Sequence, residues 1–114
     1  MTRATVDAIC AGLPGAHLPA PESGELEAWK LGGKMFACLA GGEAGVSVKT
    51  DSIETAEMLI AAGVGERAPY FHRSWIRLPL DAPEAELRHR IETSYRLIRA
   101  GLPRKMLASL APFE

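Results

Sequence analysis

The side chains that most often carry chemistry are few in this chain and are scattered along it. His17, His72 and His89 lie in different predicted elements, without the paired spacing of a zinc site or the neighbouring carboxylate of a triad. Isolated histidines of this kind are typical of loops and solvent-facing positions. Ser74 and Ser94 lack the context of a nucleophile elbow. The residues therefore predict no catalytic site, metal site or cofactor, and we expect a protein that is not an enzyme.

The cysteines and the central glycine pair also have structural interpretations. Cys10 and Cys38 are far apart and lie in apolar surroundings, which is typical of buried free thiols, with a single disulfide as the alternative. Gly32 and Gly33 precede a strand pattern and not a helix, so they cannot place a helix N-terminus against a phosphate. We interpret the pair as the turn of a β-hairpin, because glycine tolerates the positive φ of a two-residue turn.

The length and charge of the chain limit the classes of partner. A chain of 114 residues fits one domain, which we expect to span residues 1–114. Its net charge of -1 creates no overall field that would attract nucleic acid, so any such binding requires a local patch. No apolar run approaches the roughly 18 residues of a membrane span, and the N-terminal stretch lacks the apolar core of a signal peptide. We therefore expect a cytoplasmic protein with no membrane partner.

Hydrophobic periodicity predicts the elements that must position any functional residues. Apolar residues at helical spacing predict helices near the N-terminus, at about residues 52–62 and between Pro83 and Gly101. Alternating apolar residues predict three consecutive strands that begin with the glycine hairpin, and a further strand within "FHRSWIRLPL". This order predicts an α+β fold, a two-layer sandwich in which helices pack on one face of an antiparallel sheet.

The orientation of the hairpin decides what the open face of this sheet contains. A two-residue turn predicts a register in which Trp29 lies opposite Phe36. If that pair points inward, it is a cross-strand core pair, which is the usual place of large aromatics. If it points outward, aromatic and basic side chains that suit single-stranded nucleic acid or an acidic peptide share one surface. That surface would contain Trp29, Lys34, Phe36, Lys49, Trp75 and Arg77.

The last long helix presents a second charged surface. Arg88, Glu92, Arg96 and Arg99 form a stripe one position round from the apolar stripe. The first interpretation is a solvated face with ion pairs between residues four apart, and the second is a strip that binds anions. The first interpretation is favoured, because such pairs are common on exposed helices.

Four stretches of the chain resemble the MmcQ/YjbR family of small bacterial proteins. In order they are "WKLGGKMFACL", "VSVKTDSIETAEMLI", "APYFHRSWIRLPLD" and "ELRHRIETSYRLI". The resemblance implies an α+β fold related to frataxin-like and secretion-chaperone-like sandwiches, and a "double wing" DNA-binding motif. It highlights Lys34, Phe36, Lys49, Arg73, Trp75, Ser94 and Tyr95.

The residues and the resemblance together give two functional hypotheses. The first is DNA binding through a basic and aromatic surface, whose candidate residues are Lys34, Phe36, Lys49, Arg73, Trp75 and Arg77. The second is a non-enzymatic interaction module that uses the open sheet face to self-associate or to hold a protein partner. Neither hypothesis requires a cofactor.

Overall fold

The computed structural model describes residues 3–19, 27–39, 45–69 and 71–113, and the remaining residues of the predicted domain lie outside this description. Within these ranges the helices are α1 (Arg3–Ala11), α2 (Ile53–Ala61), α3 (Glu84–Ala100) and α4 (Arg104–Ala108). The strands are β1 (Ala28–Leu31), β2 (Lys34–Cys38), β3 (Val46–Lys49), β4 (Glu66–Arg67) and β5 (Trp75–Leu78).

These strands form one antiparallel sheet in the order β1-β2-β3-β5-β4. The predicted hairpin and third strand are present as β1, β2 and β3, and the strand predicted around Trp75 is β5. The edge strand β4 has only two residues, both exposed and charged, so no hydrophobic alternation marks it in the sequence. Within the described residues no helix has the length and apolar character needed to cross a membrane.

One core joins the helices to one face of the sheet. Buried residues of α1, α2 and α3 belong to a single apolar cluster with Val46, Val48, Ile76 and Leu78 of the central strands. Along β3 and β5 these residues alternate with a second set, in which Ser47 lies opposite Arg77 and Lys49 lies opposite Trp75. We call the side that carries this second set the outer face. The predicted α+β fold, with helices on one face of an antiparallel sheet, is confirmed.

A bulge in β2 changes the predicted register of the hairpin. Next to the turn, Leu31 pairs with Lys34 and Lys30 with Met35, as a two-residue turn requires. One step further, Trp29 pairs with Ala37, which leaves Phe36 as an extra residue in β2. The predicted pairing of Trp29 with Phe36 is therefore wrong.

A buried serine on α3 bridges β2 and β3 at the bulged residue Phe36. The register that pairs Ala37 with Val48 would next bring Phe36 opposite Lys49. Instead, the Ser94 hydroxyl accepts a hydrogen bond from the Lys49 amide at 2.9 Å and donates to the Phe36 carbonyl at 2.7 Å. A single side chain thus satisfies two backbone groups at the point where β2 and β3 separate. We call Phe36, Ser94 and the neighbouring Tyr95 the Ser94 seam.

The aromatic residues of the hairpin point inward. Phe36 is 0% exposed and packs edge-on against Tyr95, with 5.4 Å between the ring centroids. Trp29 is 8% exposed, and its indole nitrogen donates to the Asp7 carboxylate of α1 at 2.9 Å. Both rings therefore belong to the core, although they are not a cross-strand pair.

Candidate functional site

Lys49 and Trp75 form the centre of a partly exposed patch at one end of the outer face. Lys49 is the last residue of β3 and Trp75 is the first residue of β5. The two residues lie directly opposite each other in the sheet. The half-buried Trp75 ring stacks on Phe71, with 4.5 Å between centroids and 24° between the planes. Arg77 follows two residues along the same face. We call Lys49, Phe71, Trp75 and Arg77 the Trp75 patch, and its composition of stacked rings beside cations suits an unpaired base and its phosphate.

A buried turn holds Trp75 at this end of the sheet. The Nδ1 atom of His72 accepts from the Ser74 amide at 3.1 Å and lies 2.9 Å from the Ser74 hydroxyl. The Ser74 carbonyl in turn accepts from both the amide and the hydroxyl of Thr50, at 2.8 and 2.6 Å. Because His72 binds a backbone amide two residues away, this serine–histidine contact is a local turn contact that positions Trp75. No motif in the sequence indicates this contact.

The two arginines predicted for binding are already paired with acids. Arg77 donates through Nε and Nη2 to Oε2 of Glu66, at 3.1 and 3.0 Å. Arg73 contacts Glu57 of α2 at 2.9 Å, and both side chains are more than half exposed. Exposed ion pairs of this kind contribute at most about 1 kcal/mol, so a polyanion can compete for the arginines. The patch nevertheless presents less positive charge than the sequence suggests.

Lys34 lies at the same end of the sheet, because β2 begins where β3 ends. Its side chain is exposed, and Lys49 is half-buried. Neither lysine has a side-chain partner within the described parts of the chain. Lys34, Lys49 and Trp75 therefore lie at the same end of the sheet, with Arg77 two residues further along β5 and Arg73 just before β5.

Phe36 does not belong to this surface. Its complete burial in the Ser94 seam keeps its ring away from any ligand that approaches the sheet. Ser94 and Tyr95, which the resemblance also highlighted, are buried in the same seam, where the Tyr95 hydroxyl donates to the Pro14 carbonyl. These three residues therefore belong to the packed core and not to the surface around Lys49.

A cleft of about 180 Å³ lies on the other side of Lys49. It is formed by the end of β3, the start of α2 and the middle of α3. Its lining residues are Val48, Lys49, Thr50, Asp51, Thr55, His89, Arg90 and Thr93. The sequence gives no signal for this site, because three elements that are distant in sequence contribute to it and no motif spans them.

The charged stripe of α3 forms mainly intrahelical ion pairs. Arg88 lies between Glu84 and Glu92, at 3.6 and 3.7 Å, and Arg96 contacts Glu92 at 4.0 Å. Arg99 instead donates to the Tyr95 hydroxyl and to the Ala111 carbonyl, at 2.8 and 2.6 Å. The interpretation of this stripe as a solvated face with pairs four residues apart is confirmed.

The cysteines are buried and the histidines are exposed. Cys10 and Cys38 are free and buried, as predicted, and burial together with the charge of Asp7 raises the pKa of the Cys10 thiol far above its ordinary range. His17, His72 and His89 are all exposed. Among the described residues, no three His, Cys, Asp or Glu side chains cluster in a way that could hold a metal ion.

A family model named YjbR matches residues 11–97, which include the Ser94 seam, the Trp75 patch and the cleft. The chain belongs to the YjbR family. The same fold occurs in the crystal structure of Deinococcus radiodurans protein DR2400, whose domain is described as DUF419. That structure matches with a TM-score of 0.73 and 20% sequence identity, over 94% of this YjbR chain and 86% of the other. Among curated proteins there is no significant match.

Proposed function

We propose that this YjbR-family protein binds single-stranded DNA through Lys34 and the Trp75 patch. The observation that carries the proposal is the cross-strand pairing of Lys49 with a half-buried tryptophan that is stacked on Phe71. An unpaired base can extend such a stack, while the lysine contacts the neighbouring phosphate. Stacking of this kind tolerates every base, so we expect little sequence preference.

The geometry favours a single strand over a duplex. A paired base presents only its edge in a groove, and its ring faces are covered by its neighbours, so a duplex cannot use the Trp75 ring. The hairpin turn, which would be the tip of a wing, packs against Leu102 and against Met106 of α4. A Cβ atom at Gly32 would lie 2.8 Å from Leu102 Cδ2 and 3.1 Å from Met106 Sδ. This side of the turn is occupied by protein, which supports binding at the sheet end.

The charges of the patch imply weak binding that depends on salt. Lys34 and Lys49 have no side-chain partner among the described residues, whereas Arg73 and Arg77 must first leave Glu57 and Glu66. With about two to four phosphate contacts, the slope of log K against log salt should be about -1.4 to -2.8 for a single strand.

Fluorescence gives the sharpest test. We would titrate the protein with a labelled oligothymidine and with a duplex of the same length at low salt, following anisotropy and tryptophan emission. We expect the single strand to bind and to quench Trp75, and the duplex to bind much more weakly. In Trp75→Phe the remaining tryptophan is buried Trp29, so the quenching should disappear. Absence of binding at low salt would rule out the proposal.

The competing hypothesis, an interaction module that self-associates through the outer face, predicts a different result. Light scattering would then show a dimer in the absence of DNA, and Trp75→Ala would convert it to a monomer. A monomer that binds oligothymidine supports the nucleic-acid proposal.

A further inference from the structure

The cleft between β3, α2 and α3 gathers hydrogen-bond donors that the described part of the fold does not use. The Lys49 ammonium has no side-chain partner there. Arg90 contacts Oε2 of Glu86 through Nε alone, at 2.5 Å, which leaves the two terminal nitrogens of its guanidinium available. His89 contributes an exposed ring, which can donate from one nitrogen in its neutral form. Three potential donors thus surround one small opening.

The hydroxyl groups in the cleft differ in what they can offer. The Thr93 hydroxyl donates to the His89 carbonyl at 2.8 Å, and the Thr50 hydroxyl donates to backbone carbonyls, so neither proton is free. The Thr55 oxygen accepts from the Ser52 hydroxyl at 3.0 Å, so the Thr55 proton is free to point elsewhere. Thr55 therefore adds a neutral donor from α2 to the cationic donors of β3 and α3.

The size and charge of the cleft define the class of ligand. Its volume of about 180 Å³ lies below the roughly 300–1,000 Å³ of pockets for drug-sized ligands, but it can hold a tetrahedral oxyanion with a short attached group. Asp51 is the one acid among its lining residues and is exposed, so water and salt weaken its repulsion. Guanidinium and ammonium groups beside a hydroxyl are the donors that bind phosphate oxygens.

We propose that this cleft binds a phosphate monoester group through Lys49, Thr55 and Arg90. The group can belong to a small phosphorylated molecule or to the end of a DNA strand. Lys49 is the residue shared with the Trp75 patch, and the remaining donors are specific to the cleft. Phosphate binding therefore does not depend on the proposed DNA binding.

The first test uses inorganic phosphate as the probe. We would record amide nitrogen–proton spectra of the protein during a phosphate titration at constant ionic strength. We expect saturable shifts at Lys49, Asp51, Thr55 and Thr93, and none at the Trp75 indole. Shifts that do not saturate, or shifts that occur near every basic residue of the surface, would overturn the proposal.

Variants identify the donors. Arg90→Gln should weaken phosphate binding on the order of tenfold, because it removes a charge-assisted donor. Arg88→Gln is the matched control: its side chain belongs to the same helix, does not line this cleft and pairs with Glu84 and Glu92. Asp51→Asn should strengthen binding severalfold, because it removes the acid. Equal affinities of the folded Arg90→Gln and Arg88→Gln variants would contradict the proposal.

Oligonucleotide ends distinguish the two sources of the phosphate. If the site takes a strand end, a 5′-phosphorylated oligothymidine should bind the wild type more tightly than the unphosphorylated strand, and Arg90→Gln should abolish the difference. If the site takes a small molecule, inorganic phosphate binds but the two strands bind equally. Trp75→Ala should weaken strand binding while phosphate shifts persist, so failure of one proposal leaves the other testable.

Discussion

The Ser94 seam and the Trp75 patch are neighbours that meet at Lys49 and serve different purposes. The amide of Lys49 donates to Ser94 of the seam, whereas its side chain lies between the patch and the cleft. The seam is buried and its polar groups are satisfied; the patch is accessible, and its arginines are held only by exposed carboxylates. The difference shows that residues that carry a family resemblance include some that build the fold and others that remain available to a ligand.

The largest expected effect comes from removing the ring at the centre of the seam. Phe36→Ala should destabilise the protein by about 3–5 kcal/mol, because it leaves a cavity beside Tyr95 where the backbone is already bulged. Urea unfolding followed by circular dichroism measures the change. A loss below about 1 kcal/mol would mean that the ring is not packed in the core.

Ser94→Ala should have the next largest effect. It leaves the Lys49 amide and the Phe36 carbonyl without their shared partner, at a cost of about 1–3 kcal/mol for each buried unsatisfied group. Thr93→Ala is the matched control, because that hydroxyl bonds only to a carbonyl of its own helix. The same unfolding experiment should separate the two variants. If both lose the same stability, the bridging role of Ser94 is wrong.

Trp75→Ala should impair DNA binding more than stability, in contrast to the two seam variants. We expect a change in stability of less than about 1.5 kcal/mol, since the ring is partly exposed, together with a loss of single-strand affinity of about 1–3 kcal/mol. Anisotropy and urea unfolding on the same sample measure both quantities. Unchanged affinity in a folded Trp75→Ala variant would show that the Trp75 patch does not bind DNA.

The smallest effect concerns Cys10, whose thiol is neutral in the fold because burial and Asp7 raise its pKa. The unfolded thiol ionises at lower pH, so the native state binds more protons there, and stability should fall as the pH rises above the ordinary thiol pKa. The contribution of Cys10 to this slope is at most about 1.4 kcal/mol per pH unit. The urea midpoints of Cys38→Ala and of Cys10→Ala/Cys38→Ala, measured over a range of pH, would isolate the contribution of Cys10. Identical pH profiles of the two proteins would contradict this contribution.

The sequence predicts the parts of this fold that depend on local periodicity. The alternation of apolar residues in β3 and β5 correctly places Lys49, Trp75 and Arg77 together on the outer face. The bulge that changes the hairpin register has no signal in the local sequence, and the side chain that binds the Phe36 carbonyl belongs to Ser94, 58 residues further along the chain. Turn length sets the register only next to the turn, and tertiary contacts set the rest.

Only the cationic and aromatic residues of the candidate site could be predicted from the sequence. The acids that neutralise Arg73 and Arg77 come from α2 and β4, and periodicity does not indicate which exposed carboxylate meets which arginine. Similarly, the cleft depends on how α3 crosses the end of β3, so Arg90 and Thr55 have no signal in sequence that connects them to Lys49.

The salt dependence of oligothymidine binding by Lys49→Met tests the central claim most directly. If the Lys49 side chain contacts a phosphate of the bound strand, the slope of log K against log salt should become shallower by about 0.7 relative to the wild type. Lys105→Met, which removes an exposed lysine of α4, should leave the slope unchanged. Equal slopes for wild type and Lys49→Met would contradict the assignment of this end of the sheet as the DNA-binding surface.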